Sequence, residues 1–254
     1  MIQSREFPIL EFDDNKEALI NPVIKREHYG MFPERLVITF FKDIINRLLE
    51  EEKIKYYQTL TGENDLVVYK FCDSDTLIFH GVVGGPATGG FLDELIGLGV
   101  NKIMFCGGGG VLKNDITVGK LLVVDGAIRD DGMSYHYAAP SRIIKTNEEA
   151  KKTICSYLEG IHADYLVGLT WTTDAYYRET KEKIQLRKEE GALVVEMEQA
   201  GCIAVAEFRN AKYGAVIYCG DDVSMDEWDS RDWVNRKDIR YSLTMMCYEI
   251  VRTF

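Results

Sequence analysis

The sequence contains no apolar stretch near the roughly 20 residues that a membrane-spanning helix needs. Its first residues, Met1-Ile2-Gln3-Ser4-Arg5-Glu6, are too polar for a secretory signal. Six cysteines, at 72, 106, 155, 202, 219 and 247, include no Cys-x-x-Cys pair, and most sit in apolar runs. That pattern fits reduced core thiols and excludes a disulfide framework. His28, His80, His136 and His162 show no metal-ligand spacing, so no metal is expected. Neither Gly-Lys-Ser/Thr nor a Gly-x-Gly-x-x-Gly that opens a helix occurs, which removes P-loop and Rossmann nucleotide sites. There is no nucleophile elbow, no repeat, and no linker rich in Pro, Gly or Ser. Basic residues are outnumbered, 30 Lys plus Arg against 41 Asp plus Glu, for a net charge of −11. Such a surface repels nucleic-acid backbones and anionic lipid, so neither nucleic acid nor membrane is an expected partner. A small anionic ligand needs only a local positive pocket and is not excluded. A cytoplasmic protein is the resulting expectation.

What is present is a core-forming composition. Hydrophobic residues make up 46% of 254, enough for one sizeable core, and a single domain over 1–254 is expected, with residues 1–35 as an irregular arm. Residues 36–41 read as a strand and 42–52 as a helix, with Ile44, Ile45, Leu48 and Leu49 on one face. Strands are expected at 76–83, 102–106, 120–124, 165–170 and 215–219. Helices are expected at 88–98, 150–158, 196–209 and 238–252. Strands alternating with helices imply an α/β fold with a mainly parallel sheet covered on both faces. Ligands bind such sheets beyond the carboxyl ends of the strands, so the loops after 83, 106, 170 and 219 are where chemistry is sought.

Five motifs fall at those places. Gly107-Gly108-Gly109-Gly110 reads as a backbone wall that a ligand can approach closely, or as a flexible strand-exit turn. Gly84-Gly85-Pro86-Ala87-Thr88 reads first as a loop in which Thr88 caps the next helix. Thr172-Thr173-Asp174-Ala175-Tyr176-Tyr177-Arg178-Glu179 offers tyrosines that either stack on a flat heterocycle or cover the sheet edge. Glu196-Met197-Glu198 places two acids at an expected helix start, where the dipole favours them; a carboxylate there also accepts two hydrogen bonds from a sugar diol. Gly220-Asp221-Asp222 places two acids together at a strand end, as a general acid or as an Asx turn or cap.

Together these pieces resemble the nucleoside phosphorylase family of purine nucleoside phosphorylases, uridine phosphorylases and related nucleosidases. The similarity runs over about residues 75–225, and its most specific block is 194–222. The interval from Glu198 to Asp221 is similar to the purine phosphorylases of the bacterial type. Gly126-Ala127-Ile128-Arg129-Asp130-Asp131-Gly132-Met133-Ser134-Tyr135-His136 looks more like uridine phosphorylases. The resemblance implies a three-layer α/β/α sandwich around a mixed, partly barrel-like sheet. It implies that Glu198 binds the ribose hydroxyls and Met197 packs under the sugar. Tyr176, with Gly109, Gly110 and Arg178, would face the base, and Gly108 and Lys42 the phosphate. Asp221 would protonate the purine at N7, assisted by Arg231 or Arg236. No organic cofactor is implied; phosphate is a co-substrate beside the nucleoside. A homo-oligomer, dimer or hexamer, is implied as well, with Arg26 and His28 as residues lent to a neighbouring site.

The chain departs from the family on one side. The early phosphate loop, Gly-Asp-Pro followed by an arginine, is replaced by Ile38-Thr39-Phe40-Phe41-Lys42. Phe105 stands where an arginine usually precedes the second glycine loop, and Gly108 stands where that loop carries Ser or Thr. Phosphate recognition relies on such guanidinium and hydroxyl donors. The expected activity is therefore phosphorolysis of a nucleoside, purine slightly ahead of uridine. The alternatives are a nucleosidase using water, or a nucleoside-binding protein without turnover.

Overall fold

Burial along the central strands alternates between two opposite cores. Leu36 and Ile38 face one core and Val37 the other; Ile103 and Phe105 are set against Met104 and Cys106, and Ala215 and Ile217 against Val216 and Tyr218. A strand buried on both faces reads as a continuous apolar run, which is how these segments appear in the sequence.

The computed structural model describes residues 2–254. In chain order the elements are α1 (Arg26–Tyr29), β1 (Arg35–Thr39), α2 (Lys42–Glu50), β2 (Ile54–Leu60), β3 (Leu66–Phe71), β4 (Thr76–His80) and α3 (Gly85–Leu98). They continue with β5 (Lys102–Val111), β6 (Leu121–Asp130), α4 (Ser134–Tyr137), β7 (Ile143–Lys145), α5 (Glu148–Gly160) and β8 (Tyr165–Thr173). The last are α6 (Lys181–Glu189), β9 (Ala192–Glu196), α7 (Gln199–Phe208), β10 (Lys212–Asp222) and α8 (Lys237–Val251).

The strands form one mixed sheet in the order β10-β6-β8-β9-β5-β1-β4-β3-β2. Because β10 also pairs with β5, the five strands β5, β10, β6, β8 and β9 close into a ring, and β1, β4, β3 and β2 extend from it. Helices α3 and α7 supply Leu92, Leu95, Ala200 and Ile203 to one core. Helices α2, α5 and α8 supply Ile44, Leu48, Ile154, Leu158, Leu243 and Val251 to the other. The result is the expected three-layer α/β/α arrangement around a partly barrel-like sheet. Among the described residues no helix is long and apolar enough to cross a membrane.

Several sequence expectations need correction. The four glycines do not follow β5; they lie inside it. Asp221 and Asp222 likewise end β10 rather than occupying a loop. The expected helix over 196–209 begins only at Gln199, because Glu196 completes β9. The first strand stops at Thr39, and Lys42 opens α2. Thr88 is not a cap: α3 begins at Gly85 after Gly84, and the Thr88 hydroxyl donates to the Val82 carbonyl. The hairpin β2–β3, the short β7 and the helix α6 were not expected.

Strand β5 is where the ring closes. Through Cys106 it pairs with β1, and from Gly110 onward with β9, while β10 lines its other edge throughout. The changeover brings β9 close: a Cβ on Gly109 would lie 2.6 Å from the Val195 carbonyl oxygen and nearer still to Val194 Cγ1. Glycine is needed there for space. Gly109→Ala is therefore expected to destabilise the chain by about 1–3 kcal/mol through overpacking. Gly90→Ala, on α3 with open space around it, is expected to stabilise by about 0.5–1 kcal/mol. Urea denaturation of the two variants tests the contrast, and equal stabilities would contradict it.

Candidate active site

Between Cys106 and Gly110 one edge of β5 has no strand partner among the described residues, since β1 has ended and β9 has not begun. Gly107, Gly108 and Gly109 line this gap. The β4–α3 loop, the β9–α7 turn and the end of β10 converge around it. A crevice where neighbouring strands diverge is the usual ligand position in α/β sheets.

The β9–α7 turn holds two buried carboxylates. Glu196 accepts from the Thr172 hydroxyl at 2.5 Å and from the backbone N–H groups of Glu198 and Gln199, both at 2.6 Å. It thereby satisfies the first donors of α7, which otherwise lack partners. Glu198 is 6% exposed, and its Oε1 accepts from the Gly84 N–H at 2.7 Å. Among the described residues its Oε2 has no hydrogen-bond partner, so one oxygen remains for a ligand. Burial raises both carboxyls, and with the Glu196 charge adding to burial Glu198 is pushed up to about 8. Met197 is half-buried between them.

Asp221 lies near the end of β10, which lines the other edge of β5. Its carboxyl oxygens lie 3.4 and 3.5 Å from where a Gly110 Cβ would sit, so Gly110 gives the acid its room. Burial raises its pKa first, the Trp228 indole N–H opposes this, and the Asp222 charge adds to the rise. That indole donates to Oδ2 at 2.7 Å. Arg231 and Arg236 do not reach Asp221. Arg231 pairs with Asp222 and donates to the Ile116 carbonyl, while Arg236 donates to the Arg231 carbonyl. Asp222 also accepts from the Ser224 N–H, so the Asx turn is present at 222 beside the acid at 221. The Asp222–Asp229 bridge closes the loop that carries Trp228, and Lys181 ties this loop to the Tyr176 segment through Asp226 at 2.7 Å.

On the base side, Tyr176 is 53% exposed and its ring lies 4.3 Å from that of Tyr177. Asp174 accepts from the Gly132 N–H and so fixes that segment to the block at 126–136. Arg178 is exposed, and Glu179 beside it is half-buried. In the 126–136 block, Arg129 turns inward. It donates to Ser134, Ala138, Ala139 and Ser141, and its guanidinium packs 4.1 Å from the Tyr135 ring. These donors are spent on the scaffold, so this block does not bring a guanidinium to the base.

The phosphate side is apolar. The rings of Phe40 and Phe105 meet at 5.0 Å, and Phe40 packs over Gly81 and toward Gly107. Gly108 faces the Tyr218 ring. Lys42 is exposed at the start of α2, and its charge contributes to the lowering of His80, which is caused mainly by burial. Arg240, on the other side of that helix start, is held by Asp43 at 2.9 Å. Sequence reasoning missed Trp228 beside Asp221 and the tie from Glu196 to α7; Glu196 carried a signal as half of the Glu-Met-Glu block, and Glu179 as the end of the tyrosine motif. A cavity of about 420 Å³ between β7 and α7, lined by Thr146, Glu207 and Tyr213, contains none of the expected site residues.

The buried pair has a consequence for stability. A carboxyl raised on folding contributes most below its unfolded value and loses that contribution as pH rises through the folded value. The folded chain is therefore expected to lose stability from about pH 5 to about pH 8, through the shift on Glu198. Glu198→Gln should flatten that slope and raise the melting temperature at pH 8. An unchanged slope in thermal melts would contradict it.

Known proteins share this chain's family and fold. The family model described as the phosphorylase superfamily matches residues 34–240. Guanosine phosphorylase of Halorubrum lacusprofundi is 27% identical over 154 residues, covering 61% of this chain and 64% of that protein. Uridine phosphorylase of Escherichia coli is 30% identical over 95 residues, covering 37% and 38%. The chain thus matches less than two thirds of the length of either relative. Among solved structures, uridine phosphorylase from Vibrio fischeri superposes with a TM-score of 0.72 at 20% identity, over 89% of this chain and 94% of that one. AMP nucleosidase from Bacteroides thetaiotaomicron gives 0.69 at 20% identity, over 87% and 90%. These two likenesses concern the fold, and the family match spans most of the sheet and the whole gap: the chain belongs to the phosphorylase superfamily.

Proposed function

We propose that the chain cleaves the N-glycosidic bond of a nucleoside and releases the free base, purine nucleosides ahead of uridine. The observation that carries this reading is Asp221, a carboxyl raised by burial whose oxygens lie 3.4 and 3.5 Å from the place of a Cβ on Gly110, at the end of the glycine tract that borders the gap. The bond from C1′ to the base nitrogen breaks with its electron pair going to the base. A protonated Asp221 gives its proton to N7, which makes the base a better leaving group. Glu198 accepts from the ribose hydroxyls through its unpartnered oxygen, and Met197 packs beneath the sugar. Tyr176 covers the base, with Gly109, Gly110 and Arg178 around it.

Attack at C1′ by phosphate, giving ribose 1-phosphate, is supported by the phosphorylase names of the relatives. In that reading Gly108, the free edge of β5 and Lys42 receive the anion. Hydrolysis is the second reading, and the Phe40–Phe105 pair favours it. Two aromatic rings occupy the end of β1, and Arg240 is already held by Asp43. A phosphate dianion would meet apolar surface and carboxylates there, whereas water needs no such counter-charge.

Base release from inosine, guanosine, adenosine and uridine, with and without phosphate, is the test. Release from at least one purine nucleoside is expected, and none from any of the four would end the reading. Full rate without phosphate selects hydrolysis. Asp221→Asn, which keeps the shape and removes the proton, is expected to lower kcat by about 10²–10⁴-fold. The wild-type rate should fall as pH rises through the raised Asp221 value, because only its acid form donates.

A further inference from the structure

Arg129 is a cation folded into the interior, 5% exposed, and among the described residues no carboxylate pairs with it directly. Its acceptors are all neutral. They are the Ser134 and Ser141 hydroxyls at 2.9 and 2.8 Å and the Ala138 and Ala139 carbonyls at 3.0 and 2.6 Å. Asp131 is reached only through Ser134, whose hydroxyl donates to it at 2.6 Å. One N–H of Nη2 is left without an acceptor, since that nitrogen bonds the Ala138 carbonyl alone. A buried charge ordinarily has a paired counter-charge, because its desolvation is otherwise uncompensated.

The same residue lines the cavity of about 420 Å³ between β7 and α7. Small-molecule sites commonly enclose about 300–1,000 Å³. Ile143, Ile203, Ala206 and Ala211 give this cavity an apolar wall. Thr146 lines it as well; it is 6% exposed, and its hydroxyl has no hydrogen-bond partner among the described residues. The other polar groups here are engaged or exposed. Ser141 donates to the Ile143 carbonyl, the Asn147 side chain accepts from the Ala150 N–H, and Lys145 is tied to Asp125 at 2.6 Å. Glu207 is exposed.

We propose that this cavity is a second binding site, separate from the gap at β5, for a small monocarboxylate with an apolar body. The carboxylate accepts from the remaining Nη2 N–H of Arg129 and from the Thr146 hydroxyl, and its charge offsets the buried guanidinium. A carboxylate only accepts, so it suits a pocket whose unspent groups are donors. The apolar body lies against Ile203, Ala206 and Ala211. One charge is the better match: the guanidinium supplies one, Lys145 is already paired, and the Glu207 carboxylate repels a second. The site belongs to the later turns of α7, whereas Glu198 precedes that helix, so it does not depend on the reaction at the gap.

Calorimetric titration of hexanoate and of hexanamide, which keeps the body and lacks the charge, tests this. The wild type is expected to bind hexanoate saturably and about ten-fold more tightly than hexanamide, the scale of one hydrogen bond to a charged group. No saturable binding of hexanoate, or equal affinities, would overturn the proposal. Thr146→Val keeps the shape and removes a hydroxyl without a partner. It should melt no lower than the wild type and bind hexanoate about ten-fold more weakly. Wild-type affinity in this variant would put the ligand elsewhere and end the proposal. Amide NMR signals locate the ligand without a variant: hexanoate should move those of Ile203, Ala206 and Ala211 and leave Gly108 and Gly109 in place. The reverse pattern would mean binding at the gap and overturn the second site.

Discussion

The exchange of partners along β5 organises the molecule. One ten-residue strand pairs first with β1 and then with β9, keeping β10 beside it. The exchange closes the five-stranded ring and leaves a stretch of strand edge uncovered at the same place. Closure needs β9 close to the backbone of β5, which only a residue without a side chain permits at position 109. The gap and the ring are therefore one geometric fact. Residues from β4–α3, β9–α7 and β10 meet there because those are the segments that border the exchange.

Electrostatics then distinguishes the two ends of the gap. The sugar and base ends are acidic, with Glu196, Glu198, Asp221 and Glu179 all raised chiefly by burial. Carboxyls raised in this way keep their protons to higher pH, and a protonated carboxyl donates a hydrogen bond as well as accepting one. The other end carries Phe40 and Phe105, and the nearby cation Arg240 is already paired. In the proposed reading, the nucleoside rather than the anion meets the complementary groups.

Much of this was legible in the sequence. The central strands are continuous apolar runs, and α2 and α7 repeat at helical spacing, so the α/β class followed from pattern. The order of the glycine tract, the Glu-Met-Glu block and the Asp-Asp pair implied which strand ends meet. The hairpin β2–β3 escaped because Lys55, Tyr56 and other exposed residues break its alternation. Helix α6 escaped because only Arg187 is buried along it, leaving no apolar stripe. The glycines and acids were placed in loops because turn-forming residues and apolar strands are told apart by composition, whereas here closeness of packing keeps glycine inside a strand. Trp228 could not be foreseen: its contact depends on how a loop folds back through the Asp222–Asp229 bridge, and no periodic pattern encodes that.

The roof over Asp221 differs in kind from the walls of the gap. Strands β9 and β10 are hydrogen-bonded to neighbours on both sides, and β5 is so along most of its length. The loop bearing Trp228 is joined to the Tyr176 segment by Lys181 and Asp226, whose side chains are 68% and 92% exposed. An ion pair so open to water is worth about 0–1 kcal/mol and weakens with salt. This tie between the two loops is therefore weak, while moving a wall would disrupt the ring. In the proposed reaction a route over Asp221 would cross this tie, and ionic strength acts on the Lys181–Asp226 pair before it acts on the fold.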